Sequence, residues 1–300
     1  MFFSKPFRAS LFALAVILNI IFASFYNSVL SSVFPKDSVV YLAVLYFILY
    51  AVPLILYFAL TGENAKYVFK IKPIGIGNII VIICISIFIQ PLLMFISTLS
   101  SVVFGSETTQ YLKGFANAPI FYTFLSTAIF PAVFEEFCYR GVVFSNMREK
   151  SISKACIFTG LIFGISHLNG EQFFYAFFMG VVFCVMVYKT GSVFASMLSH
   201  FTINFSQTAL ALYSAKNTIY DSAQSFSVKD RIFISAVPAL YMLVPLIFMF
   251  ALFLYINRPL EADGIIIETE EAIDFSENND RLITAPFIIL VIIFIFSLFS

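Results

Sequence analysis

The sequence predicts an all-α fold, a polytopic membrane bundle of about eight to nine transmembrane helices. Three observations carry that expectation. Of the 300 residues 61% are hydrophobic and 11% charged, and the mean hydropathy is +0.97, values typical of a chain surrounded by hydrocarbon. The apolar residues fall into nine runs, most of them near or above the roughly 20 residues a helix needs to cross a bilayer core. The basic residues concentrate in alternate connections between these runs.

The runs cover residues 9–33, 38–60, 76–104, 118–145, 155–168, 171–189, 191–213, 232–256 and 282–299. Lys5 and Arg8 precede the first run as they would in a signal peptide. The run is too long for one and lacks an obvious cleavage site, so an uncleaved span is expected. The fifth run is short and ends at Leu168-Asn169-Gly170-Glu171, which suggests a partial span buried among its neighbours. Before the ninth run lies an acidic connection, residues 261–280, expected to be a solvated loop; the length of 282–299 leaves open whether it crosses fully. The chain thus divides into N-terminal transmembrane helices (1–117), a central core (118–213), and C-terminal transmembrane helices with the acidic loop (214–300).

With nine spans and a cytoplasmic N-terminus, eleven of the 17 Lys and Arg residues lie on the cytoplasmic side and five on the other. That bias puts the N-terminus and the loop 148–154 inside and makes the protein multi-pass, in the plasma membrane if the source is bacterial. Seventeen acidic residues balance the seventeen basic ones, which excludes a basic face for nucleic acid. Cys84, Cys138, Cys156 and Cys184 lie singly in apolar runs, without disulfide or metal-ligand spacing, and read as packing residues.

Residues 131–141, Pro-Ala-Val-Phe-Glu-Glu-Phe-Cys-Tyr-Arg-Gly, place two carboxylates and a guanidinium inside the fourth run. One charge at the bilayer centre costs about 2.5–3.5 kcal/mol on insertion scales, so three within six residues point to function. Glu136 and Arg140 stand i, i+4 and can pair, whereas Glu135 is turned by about 100° and lacks that partner. Pro131 cannot donate to the Thr127 carbonyl, so a kink one turn before Glu135 is expected, with the released carbonyl lining a wet pocket or merely tolerated.

His167 and His200 are the two histidines of the chain, and both fall in apolar runs. Asn204 follows His200 at i+4; Phe163 precedes His167 by four, with Gly164 permitting close helix approach. Arg148 stands 13 residues after Glu135, and Lys154 13 before His167, about 20 Å each along a helix. Lys189 precedes His200 and Asn204 by 11 and 15 residues, about 16 and 22 Å. Glu135, His167, His200 and Asn204 are therefore expected in one layer around a wet cavity, where scattered interhelical polar contacts would sit at random heights. A carboxylate, two imidazoles and an amide suit peptide hydrolysis, in which a base deprotonates water and donors meet the oxyanion. No serine or cysteine has an obvious base beside it, and Cys138 falls on another face from Glu135, which favours activated water over a covalent route.

Glu135-Glu136-x-x-x-Arg140, Phe163-x-x-x-His167 and His200-x-x-x-Asn204, in that order on successive helices, resemble the three motifs of the CPBP family. These are the type II CAAX prenyl endopeptidases, also called the Abi family, with their bacteriocin-processing relatives. The resemblance covers the fourth to seventh runs and implies an intramembrane endopeptidase. In it Glu135 and His167 would activate water, His200 and Asn204 would form the oxyanion site, and Glu136 and Arg140 would support them. Its implied substrate is a membrane-associated protein or peptide, a prenylated CAAX tail or a bacteriocin among them. The family has also been described as metalloproteases. Glu135, His167 and His200 could serve as zinc ligands, yet no His-Glu-x-x-His pair shares a helix, so metal-free glutamate chemistry is the preferred expectation. A proton-coupled transporter would show inverted repeats or paired broken helices, which the sequence lacks. A non-catalytic immunity protein would keep the motifs as structural contacts, and an activity assay separates it from an enzyme.

Overall fold

The computed structural model describes residues 3–105, 119–148, 151–216, 226–258 and 282–299, with the short segments 261–262 and 265–266. The all-α bundle is there. Helix α1 (Lys5–Ile21) meets α2 (Ala23–Leu30) in a bend of 48°. Helix α3 (Val39–Thr61) starts on Ser38, whose hydroxyl accepts from Tyr41 N at 3.1 Å, and stops at Gly62, where φ of +68° admits a residue without Cβ. Within α3 a wide i→i+5 turn covers Phe47–Ala51. Asn19 of α1 donates to the carbonyls of Ile48 and Leu49 in that turn at 2.6 and 3.1 Å, so the loosened backbone groups stay satisfied in an apolar setting.

A short α4 (Ala65–Phe69) leads to α5 (Ile76–Phe104), which is interrupted at Ile89. Pro91, two residues on, cannot donate to the preceding turn, which accounts for the break. Then come α6 (Ile120–Met147), α7 (Ile152–Ile165), α8 (Gly170–Thr190), α9 (Val193–Lys216), α10 (Val228–Ile256) and α11 (Ala285–Ser297). A capping box between Ser227 and Asp230 opens α10. Within the connection 261–280, Glu261–Ala262 and Ile265–Ile266 pair as a two-residue antiparallel hairpin; the rest of that expected loop lies outside the described residues, as do residues 149–150 of the loop 148–154.

Among the described residues, five helices are long and apolar enough to cross a membrane, six if the bent α1–α2 pair is one span. The sequence suggested eight to nine. The difference has three sources. Helices α7 and α11 have 14 and 13 residues, short of a full crossing. Helix α9 has 24 residues but is too polar, and its polar groups meet protein instead of lipid. Ser199 bonds Ser86 of α5 at 2.7 Å, Gln90 of α5 donates to Ser206 at 2.8 Å, and Thr208 bonds Thr127 of α6 at 2.9 Å. A helix walled in by its neighbours need not be apolar to lie at membrane depth.

Glycines set the distance between α7 and α8. A Cβ on Gly180 would stand 2.7 Å from the Gly160 Cα, and one on Gly164 would stand 2.9 Å from the Phe173 carbonyl. The close approach expected at Gly164 is realised. Gly180→Val should therefore destabilise the protein by about 1–3 kcal/mol or more, read as a lowered melting temperature in detergent. Gly77→Ala, at a position with nothing within 4 Å, is the matched control; equal melting of the two variants would dismiss the glycine seam.

Candidate active site

The site is built on α6, where wide i→i+5 turns cover Leu125–Ile129 and Phe137–Val143. Such turns recur at functional sites because they re-aim side chains and loosen backbone groups. They flank the kink position Pro131. The carbonyls just before it are each taken by a side chain from a different helix. Tyr46 of α3 donates to Ser126 O at 3.0 Å, and Asn204 of α9 donates to Thr127 O at 2.9 Å. The carbonyl that Pro131 releases is thus capped by Asn204, one of the expected catalytic residues, and does not line an open pocket.

Glu136 lies at the centre of a buried polar knot. The i, i+4 spacing with Arg140 becomes an ion pair, Arg140 Nη1 donating to Glu136 Oε1 at 2.9 Å with both side chains fully buried. His200 Nδ1 stands 2.9 Å from the same oxygen. The guanidinium is also sandwiched between the rings of Phe163 and Phe183, at 4.2 and 4.9 Å from their centroids. Its Nε and Nη2 meet no hydrogen-bonding protein atom, and the ring faces offset part of that loss, about 2 kcal/mol each when desolvated. Glu136 is therefore fixed by two cationic or proton-bearing partners, in keeping with the cost of an isolated buried charge.

His167 sits past the last turn of α7. Its Nδ1 is 2.8 Å from the Phe163 carbonyl, and since a carbonyl can only accept, Nδ1 carries the proton and Nε2 of the neutral ring keeps its lone pair. The next residue, Leu168, has φ of +52°, a strained conformation for a branched side chain. It reverses the chain into Asn169, which caps α8 by accepting from Glu171 N at 2.8 Å. The His167 and His200 rings both meet the Phe163 ring edge-on, at 5.0 and 6.1 Å. The two imidazoles thus share one aromatic spacer, and Glu135 and His200 both lie within electrostatic reach of His167.

Glu135 is half-buried and has a contact no sequence motif marked. Tyr50 Oη of α3 stands 3.5 Å from its Oε1, at the outer limit of a hydrogen bond. Tyr50 is stacked on Tyr46 at 5.5 Å and lines a cleft of about 380 Å3 together with Asn27, Tyr41, Tyr46, Tyr122 and Ser126. That lining includes Tyr50 but none of Glu135, His167, His200 and Asn204. The one cue to Tyr50 in the sequence was a tyrosine pair at i, i+4 in an apolar run, easily lost among 15 tyrosines. Tyr50→Phe should lower kcat by about tenfold with KM nearly unchanged, as befits a lost hydrogen bond to a charged group; an unaltered kcat would show the contact to be idle.

Catalytic zinc requires three protein ligands converging on one point. Among the described residues no three His, Cys, Asp or Glu side chains are grouped to hold a metal ion, so Glu135, His167 and His200 do not form such a set in this geometry.

Residues 117–206 match the protein-family model described as type II CAAX prenyl endopeptidase Rce1-like, a segment that contains Glu135, Glu136, Arg140, His167, His200 and Asn204. Neither the curated proteins nor the solved structures yielded a match.

Proposed function

We propose, from the match of residues 117–206 to the type II CAAX prenyl endopeptidase Rce1-like model and the motif residues that segment contains, that this chain is a CPBP-type intramembrane endopeptidase with Glu135 as its water-activating base. In general terms it is an integral membrane protease of the CAAX type. The finer reading rests on the contrast between the two carboxylates. Glu136 is committed to Arg140 and His200 through its Oε1, whereas the hydrogen-bond partner of Glu135 among the described residues is one neutral hydroxyl, Tyr50 Oη at 3.5 Å. A carboxylate held by two cationic or proton-bearing partners is a poor base; one with an unencumbered lone pair near an imidazole can take a proton from water.

In this mechanism a water between Glu135 and His167 loses its proton to the carboxylate as its oxygen attacks the scissile carbonyl, with the His167 Nε2 lone pair orienting it. His200, held at Nδ1 by Glu136, presents Nε2–H to the developing oxyanion when protonated, and the second amide N–H of Asn204 supports it. The proton on Glu135 then passes to the leaving amine. Substrate is a membrane-associated protein or peptide, of the prenylated CAAX or the bacteriocin kind. The test is cleavage of such peptides by the purified full-length protein with and without a chelator. Cleavage unaffected by the chelator is expected. Cleavage lost with the chelator and restored by zinc would replace the metal-free mechanism by a zinc-dependent one, and no cleavage of any candidate would favour the non-catalytic reading.

A further inference from the structure

The carbonyl that holds His167 is shared. Helix α7 ends in a tightened turn, in which the His167 amide, able to close one more α-turn on Phe163, goes instead to the Gly164 carbonyl at 3.3 Å, and the Leu168 amide goes to Ile165 at 3.0 Å. The Phe163 carbonyl is left to side chains, as the last carbonyls of a helix are. Two of them take it. Ser166 Oγ donates to it at 2.7 Å and His167 Nδ1 at 2.8 Å, and an oxygen with two lone pairs serves both. A carbonyl pinned by Ser166 on one side cannot swing away from the imidazole on the other.

Ser166 is braced in turn from α6. Both Ser166 and Tyr139 are buried, and the Tyr139 hydroxyl faces Ser166 without completing a hydrogen bond in this geometry. The Ser166 proton is spent on Phe163, so its oxygen is left to accept, and the Tyr139 O–H is a group able to give. A buried hydroxyl is costly to leave unpaired, which favours the small rotation that closes this contact. The Tyr139 ring is already seated for it, meeting the Phe163 ring edge-on at 5.1 Å. Tyr139 follows Glu135 by four residues on α6, and Ser166 precedes His167 by one. Their contact therefore ties the two helices at the level where the carboxylate and the imidazole would share a water.

We propose that Ser166 and Tyr139 are positioning residues for His167: Ser166 fixes the Phe163 carbonyl that keeps the proton on Nδ1, and Tyr139 fixes Ser166, so that the bare Nε2 is held toward the water activated by Glu135. The catalytic consequence rests on the protease reading; the fixed tautomer does not, and the two are measured apart. The chain has two histidines, so isotopic labelling of histidine nitrogens in the full-length protein gives two imidazoles by nuclear magnetic resonance, and the signal lost in His167→Gln assigns them. At about pH 8, above the ordinary imidazole range, wild-type His167 should show one tautomer, with Nδ1 protonated and Nε2 bare. Ser166→Ala should populate the opposite tautomer as well, and Tyr139→Phe should move the balance the same way by less. With a cleavable peptide, kcat should fall about tenfold in Ser166→Ala while KM stays close to wild type, the factor expected of one orienting hydrogen bond. A mixture of tautomers in wild type, or an unshifted single tautomer in both variants, overturns the proposal whatever their activity. Wild-type kcat in a variant whose tautomer has shifted overturns the catalytic role of the positioning. A wild type that cleaves no peptide would sink the protease reading, and the nitrogen signals would still decide whether Ser166 and Tyr139 fix the ring.

Discussion

Glu135→Gln is expected to reduce peptide cleavage by about 100- to 10,000-fold, the range that a general base supplies, while the protein keeps its fold and melting temperature. Glutamine preserves the shape of the side chain and can still accept from Tyr50, whose hydroxyl is 3.5 Å away; what it removes is the ability to hold a proton taken from water. The neighbouring Glu136→Gln makes the informative comparison. Because Glu136 bonds both Arg140 and His200, its neutral variant should lower stability as well as activity. Cleavage by Glu135→Gln at near wild-type rate would remove Glu135 from the mechanism. Inactivity accompanied by loss of the folded protein would make it a structural residue instead.

Arg140→Ala should carry the largest cost in stability, about 3–5 kcal/mol, the usual result of leaving one partner of a buried ion pair behind. Arg140 is 2% exposed and Glu136 fully buried, so no solvent can take over the abandoned carboxylate. The change also removes the guanidinium from between Phe163 and Phe183 and opens a hole on the side of His200. A double variant separates charge from volume. Arg140→Met with Glu136→Gln removes both charges and fills much of the space, and should recover a good part of the loss, since replacing a whole buried pair is far milder than halving it. Chemical or thermal denaturation in detergent reads both. Wild-type melting in Arg140→Ala would mean that the knot around Glu136 contributes nothing to the fold.

How much of this was legible beforehand depended on whether a property is local. Residues 76–104 were bounded as one apolar run, and the helix is Ile76–Phe104; length and apolarity act residue by residue along a helix. The Glu136–Arg140 pair was legible for the same reason, because i, i+4 is a distance within one helix. The close approach at Gly164 was readable too, since a missing Cβ is a property of the residue itself.

Helix α9 shows where local reasoning ended. Its apolar run was identified, but whether its hydroxyls, His200 and Asn204 faced lipid, water or protein depended on α5 and α6, whose partner residues lie 64 to 116 positions away in sequence and directly against it in space. His200 and Asn204 share a spacing of four, which suggested one common target. Packing gave them different ones, Glu136 and the Thr127 carbonyl, because Pro131 had released a backbone acceptor that a membrane interior must satisfy. Tyr50 and Glu135 meet across 85 residues, a contact no spacing announces. Composition and periodicity therefore determined that this chain is a helical membrane protein with charges and imidazoles in its central helices. Which partner each of those groups holds was decided by the tertiary structure alone, since a buried polar atom takes the nearest group that pairs with it, and nearness between helices is set by how they pack.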